Sequence, residues 1–237
     1  MSEMVVVEAL GVAVGIDAPA GSADAIRAAW SRALTTAEPD LVITAPQPYP
    51  GALSELSSSV TIAAIDHQAG HLWMVHAGGL ADPASGRTVA LVADAGTGKT
   101  TAVRTLGRQF GYVTDETVGV ASGGAVRMHA KPLSVIENGI YPKVQRSPDA
   151  LGLLAAPHTL SLNTVLLLRR DGTHEVGLEP VRLAAALPML APHTSHLGAF
   201  DRPLHRLASQ LDGVTVHEVH YAEAEALAPV VADLVAR

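Results

Sequence analysis

The segment Ala93-Asp94-Ala95-Gly96-Thr97-Gly98-Lys99-Thr100 constrains this chain more than any other. It lies between Val89, Ala90, Leu91 and Val92, which read as a strand, and a stretch from about Thr100 in which Val103, Leu106 and Phe110 recur on one helical face. A glycine-rich turn from strand into helix lets successive N–H groups turn inward around a polyphosphate, and the helix directs its positive end at the same anion. In that setting Lys99 reaches the outer phosphate oxygens, and the hydroxyl of Thr100 is able to ligate Mg²⁺. Ala95, Gly96, Thr97, Gly98, Lys99, Thr100 and Thr101 form the expected phosphate-binding set. The pattern G-x-G-K-[ST] would arise about 0.003 times in a shuffled chain of this composition. The usual pattern opens on glycine, and Ala93 stands there. A positive φ at that position would strain the alanine by ~1 kcal/mol or more, whereas a plain strand end would accept it.

The rest of the composition narrows the setting. At 237 residues the chain suits one main domain with an appendage, divided here as 1–70 and 71–237. It is 48% hydrophobic but only 3% aromatic, so the core is built from small and branched side chains. A net charge of −7 argues against nucleic acid or anionic membrane as a partner. The absence of cysteine excludes disulfide scaffolds, thiolate metal sites and cysteine nucleophiles. Neither a signal-peptide pattern nor a run of 18 apolar residues is visible, so a cytoplasmic protein is expected.

Strands and helices interleave along the chain. Residues 5–16 read as strand with Gly11 or Gly15 at a bend, then a helix from Ser22 that must stop before Pro39. A short strand at 41–44 precedes the proline-rich loop 45–51, and Leu53, Leu56, Val60, Ala63 and Ala64 mark a second helix. Strands at 72–80 and 88–93 flank Asp82-Pro83-Ala84-Ser85-Gly86 and make a natural antiparallel hairpin. The helix after the loop ends near Gly111, and strands 112–120 and 125–130 turn at Ser122-Gly123-Gly124. Later strands are expected at 164–168 and 214–219, with helices at 181–187, 203–211 and from about 223. The whole is an α/β or α+β pattern.

A phosphate loop needs acids nearby. The most apolar later strand, 165–168, is followed by Arg169-Arg170 instead of a metal-binding acid, and that segment reads as a polar turn. Asp115-Glu116, after Tyr112-Val113-Thr114, follows the loop helix directly and is the better candidate. Alone it would equally suit an exposed strand-end turn. His76 gains interest from the hairpin. With the turn centred at Ala84–Ser85 it faces approximately Ala93, at the mouth of the loop, although a slip of one residue would aim it away.

With His76, the loop and the acidic pair in that order, the sequence resembles the catalytic domain of HPr kinase/phosphorylase, especially short relatives that phosphorylate peptides. The features that carry it are MVHAGGL, ALVADAGTGKTTAVRTL, FGYVTDETVGV and HAKPLSV, within residues 72–135. The resemblance implies an α/β fold with a mixed-sheet P-loop kinase core and a small N-terminal α/β appendage. It implies an ATP- and Mg²⁺-dependent kinase acting on a serine or other hydroxyl of a peptide or protein, and it is compatible with a homo-oligomer. It further implies that Lys99 and Thr100 bind phosphates and metal. Asp115 would take or orient the acceptor proton, His76 would assist it, and Glu116 would support the metal. The family often has two aspartates where this chain has Asp115-Glu116, and the long signature of the bifunctional members is not recognisable here. A kinase for an acceptor other than HPr is therefore favoured. Phosphoenolpyruvate carboxykinases share a related nucleotide core, but their further motifs are not found.

Two other classes remain in view. A nucleotide-binding regulator without transfer activity would bind nucleotide and label no acceptor. A transport or remodelling ATPase would want an acid after an apolar strand and a sensor motif, and neither is evident. Lys131 and Arg127 could add charge near the phosphates, Arg127 more simply as solvated surface. The pairs His67/His71, His193/His196 and His217/His220 lack the geometry or the carboxylate of a metal site.

Overall fold

The computed structural model describes residues 2–48, 51–94, 96–137, 140–173 and 175–236. In chain order the strands begin with β1 (Glu3–Ala9), β2 (Val12–Ala18), β3 (Leu41–Thr44), β4 (Trp73–Ala81) and β5 (Arg87–Val92). They continue as β6 (Gly111–Thr114), β7 (Thr117–Val120), β8 (Val126–Arg127), β9 (Leu133–Glu137) and β10 (Ile140–Arg146). The remainder are β11 (Leu154–Ala155), β12 (Ser161–Arg170), β13 (Gly177–Pro180), β14 (Thr194–Ser195) and β15 (Thr215–Tyr221). The helices are α1 (Ala23–Ala29), α2 (Ala52–His67), α3 (Lys99–Leu106), α4 (Leu183–Leu190), α5 (Pro203–Gln210) and α6 (Ala228–Ala236). This is a mixed α/β protein.

By chain contacts it forms two units, one of Met1–Gln68 with Met128–Gly152, the other of Ala69–Arg127 with Leu153–Arg237. A division drawn once, at residue 70, does not describe the return of 128–152 to the first unit. That return rests on long-range pairing, such as the Leu10 N–H donating to the Met128 carbonyl at 3.0 Å, which no local pattern announces.

In the first unit, β1 and β2 are antiparallel neighbours and β3 joins β2 in parallel. The single strand expected over 5–16 is instead this hairpin. Leu10 and Gly11, at φ 55° and 77°, make its two-residue turn, where the expected strand had only a bend. The expected long first helix closes after Ala29. His129 is 1% exposed, with Nε2 3.1 Å from the Thr61 hydroxyl. That hydroxyl spends its proton on the Ser57 carbonyl at 2.9 Å, so Nε2 donates, and among the described residues Nδ1 has no partner. Burial, helped by the nearby Lys131 charge, lowers the His129 pKa to about 3. The unfolded chain, with an ordinary histidine near 6.5, therefore binds the proton first. Stability should be untouched above that value and fall as pH drops from about 6.5 towards 3, by up to ~1.4 kcal/mol per pH unit. Urea unfolding of His129→Gln should show a flatter pH profile than the parent over that range. Identical slopes would refute it.

Among the described residues the second unit is built on a ten-stranded sheet, whose main path runs β11-β6-β4-β5-β12-β15-β13. Strands β5, β12 and β15 are parallel, and β4 is antiparallel to both β5 and β6. Hence β6 runs with β5, and the carboxyl ends of β5, β6, β12 and β15 share one edge with the beginning of β4. The β4–β5 register sets Ala77 opposite Val92 and Gly78 opposite Leu91, the pairing that the turn-centre arithmetic requires.

The expected strand 112–120 is broken at Asp115-Glu116. Its first half, β6, pairs with the end of β4, and its second half, β7, pairs with the beginning. Helix α3 ends at Leu106, with the Gly107 N–H donating to the Val103 carbonyl, so Gly111 opens a strand instead of closing a helix.

Because β5 and β6 flank β4, the α3 connection has to cross over β4. Gly78 makes room for it: a Cβ there would stand 2.3 Å from Val103 Cγ2. Gly78→Ala should cost about 1–3 kcal/mol of stability through overpacking, measured by urea unfolding. The cost should shrink towards zero in a Val103→Ala background, since the two sites share one contact. An additive double mutant would contradict this packing.

Candidate functional site

All the features of the site lie in the second unit, where the parallel strands end. This edge is the usual place for ligands in open α/β sheets, because loops and helix starts converge there. Strand β5 ends at Val92, and Ala93 is 6% exposed. Among the described residues only Leu10 and His196 are non-glycine positions with positive φ, so Ala93 is a plain strand end and carries no such strain. Gly96 (φ 85°) and Gly98 (φ 103°) do turn left-handed, with open space where a Cβ would be. They are needed for backbone shape and not for clearance. Gly98 also caps α3, whose first N–H groups receive no side-chain cap among the described residues. Ala95, the other loop position singled out, lies outside the described residues.

Lys99 is 7% exposed, and its ammonium donates to the carbonyls of Ala93 (2.5 Å) and Asp94 (3.2 Å). The cation is thus held inside the loop it begins to close. Burial lowers its pKa, with the Asp94 charge opposing. Thr97 is half-buried in the loop, while Thr101 stands exposed on the first turn of α3.

The acidic pair sits at the end of β6. Asp115 is 6% exposed and accepts from Thr100 Oγ1 at 3.2 Å on one oxygen and from the Tyr112 hydroxyl at 3.3 Å on the other. The hydroxyl that follows the loop lysine and the carboxylate that follows the next strand therefore meet. Burial, and then the Asp115 charge, raise the Tyr112 pKa well above its ordinary value, so it stays a donor.

Glu116 is half-buried, and its carbonyl accepts from the Ala77 N–H at 3.0 Å. That bond stitches the interruption between β6 and β7 to β4 beside His76. The His76 pKa is lowered, chiefly by burial and then by Lys99. The Glu116 charge and a hydrogen bond with its backbone act in the opposite sense. His76, Lys99, Thr100, Asp115 and Glu116 thus form one neighbourhood.

Three further residues join it. His193 Nε2 lies 3.7 Å from Asp94 Oδ1. Arg169, at the end of β12, is paired with Glu218 on β15. Tyr112 buttresses Asp115 as described. Only Tyr112 carried a signal in the sequence, three residues before the aspartate. Lys131 belongs to the first unit, buried, and donates to the Pro132 carbonyl at 3.2 Å, while Arg127 is exposed on β8. Among the described residues no cluster of three or more His, Asp or Glu side chains is arranged to hold a metal by itself. Thr100 and Asp115 do offer two oxygen donors at one point, a donor set that suits Mg²⁺ held jointly with phosphate oxygens. Chemically the edge combines left-handed loop glycines, an uncapped helix start, a buried ammonium and a carboxylate beside a hydroxyl.

No family model matches the chain, and no curated protein matches it. Among solved structures it is similar to the HPr(Ser) kinase/phosphatase from Coxiella burnetii, at 14% identity and a TM-score of 0.33, over 69% of this chain and 93% of that one. A likeness of that extent defines no function, and the chemistry of the site rests on the chain's own residues. Among the described residues no helix is long and apolar enough to cross a membrane.

Proposed function

We propose that the chain is an ATP- and Mg²⁺-dependent kinase that transfers the γ-phosphoryl group to a serine or other hydroxyl of a peptide or protein. The observation that carries this reading is the hydrogen bond from Thr100 to Asp115, which brings the loop and the acidic strand end to one point. Gly96, Thr97 and Gly98 would present backbone N–H groups to the phosphates, with Lys99 as the charge within the loop. Mg²⁺, when bound, would be held by Thr100 and Asp115 with Glu116 in support, and would supply charge neutralisation for the phosphates.

Asp115 takes the proton of the acceptor hydroxyl. The hydroxyl oxygen bonds to the transferred phosphorus as the bond to the diphosphate leaving group breaks. Tyr112 holds the second carboxylate oxygen so that the first keeps its aim. His76, anchored to the Glu116 backbone, would assist Asp115 as an electrostatic or proton-relay partner. Such a transition state asks for positioning and charge, both of which rigid strand ends supply.

The test is incubation with γ-labelled ATP, Mg²⁺ and candidate peptides, with a chelator control. Label on a hydroxyl amino acid supports the reading. Nucleotide binding without label on any acceptor would instead favour a regulator of the same architecture.

A further inference from the structure

The pair His193/His196 reads from sequence as a poor metal motif, yet the fold brings His193 to the loop. Strand β14 pairs antiparallel with β4, Thr194 opposite Val75 and Ser195 opposite Met74. Trp73 Nε1 donates to Thr194 Oγ1 at 3.1 Å, and that hydroxyl donates to the Leu190 carbonyl at 3.0 Å. The turn that ends in His193 is therefore clamped to the strand that carries His76. The imidazole is largely covered, with 18% of its side chain exposed, and Nε2 faces Asp94 at 3.7 Å, whereas the Asp94 side chain is 80% exposed. The covered imidazole thus turns Nε2 to the side of Asp94, the residue that leads from β5 into the loop.

The charged and titratable groups around His193 come from four elements. Asp94 follows β5, Lys99 opens α3, Arg169 ends β12 and His76 lies on β4. Since Leu167 pairs with Val92, Arg169 stands level with Asp94 on the neighbouring strand. Burial, Lys99 and Arg169 favour the neutral imidazole, and Asp94 favours the charged one. A polyphosphate beside Lys99 would reverse that balance, because its negative charge would offset the two cations that now oppose protonation.

We propose that His193 is a further ligand-binding residue of this site: its imidazole takes up one proton from solvent when a polyphosphate binds, and the imidazolium becomes a second cation beside Lys99. The inference rests on the nucleotide reading of the loop and adds a proton to its binding step.

Calorimetric titration with Mg·ATP at pH 7.5, in two buffers of different ionisation enthalpy, reads the protons taken up directly. The parent should take up a fraction approaching one proton. His193→Gln should lose that uptake and bind roughly 10-fold more weakly, a charge-assisted hydrogen bond's worth. His76→Gln should retain the uptake. In a second measurement the histidine Hε1 resonance missing from His193→Gln should titrate at higher pH in the Mg·ATP-saturated parent than in the free protein. Unchanged uptake in His193→Gln, uptake lost in His76→Gln instead, or a resonance midpoint that does not rise would each overturn the assignment while leaving nucleotide binding intact. No binding heat in the parent and no resonance shift would overturn the nucleotide reading itself.

Discussion

Lys99→Ala is expected to abolish phosphoryl transfer and to weaken Mg·ATP binding by about 1.5–3 kcal/mol, roughly 10- to 150-fold in Kd. The ammonium lies within the loop, held by the carbonyls of Ala93 and Asp94 and 7% exposed. A charge so placed needs little reorganisation to meet an anion, so its removal costs both ground-state binding and transition-state stabilisation. A change in folding could imitate such a loss. The parent and variant should therefore be compared by thermal melting without ligand, and then with saturating Mg·ATP. Ligand-induced stabilisation should shrink in the variant in step with its weaker Kd. An ATP affinity equal to that of the parent would remove the loop from any nucleotide role.

Asp115→Asn should separate binding from chemistry. Asparagine keeps the volume and one carbonyl oxygen, and its amide can donate to the Tyr112 hydroxyl while the oxygen accepts from Thr100. The local frame should survive, with nucleotide affinity within a few-fold of the parent. Transfer to the acceptor should nevertheless fall by about 10²–10⁴, the usual contribution of a positioned general base. Glu116 is not expected to replace it, because its carbonyl is tied to the Ala77 N–H and its side chain neighbours His76. Full activity in Asp115→Asn would take the base role from this residue. A parallel loss of binding and transfer would point to metal support as its main task.

What the sequence alone determined has a local cause. The loop 93–100 is written in contiguous residues because the geometry of a strand-to-helix turn depends on the φ values of its own glycines. The hairpin register follows from the turn centre, since each paired step moves one residue along both strands, and so His76 could be set against Ala93. Asp115-Glu116 stands within one helix and one strand of the loop, near enough in the chain for spacing to suggest it.

Tertiary structure alone decided the rest. The break of 111–120 into β6 and β7 depends on β4 accepting two partners along its length, which no property of residues 115–116 announces. The return of 128–152 to the first unit depends on pairings with distant chain. His193 lies almost a hundred residues beyond Lys99, and only the β14–β4 clamp makes it a neighbour. Arg169 reads as a turn cation until β12 is seen beside β5. Local backbone preference is encoded residue by residue. The meeting of distant side chains is set by which strands the sheet pairs, and that follows from the burial of the whole core.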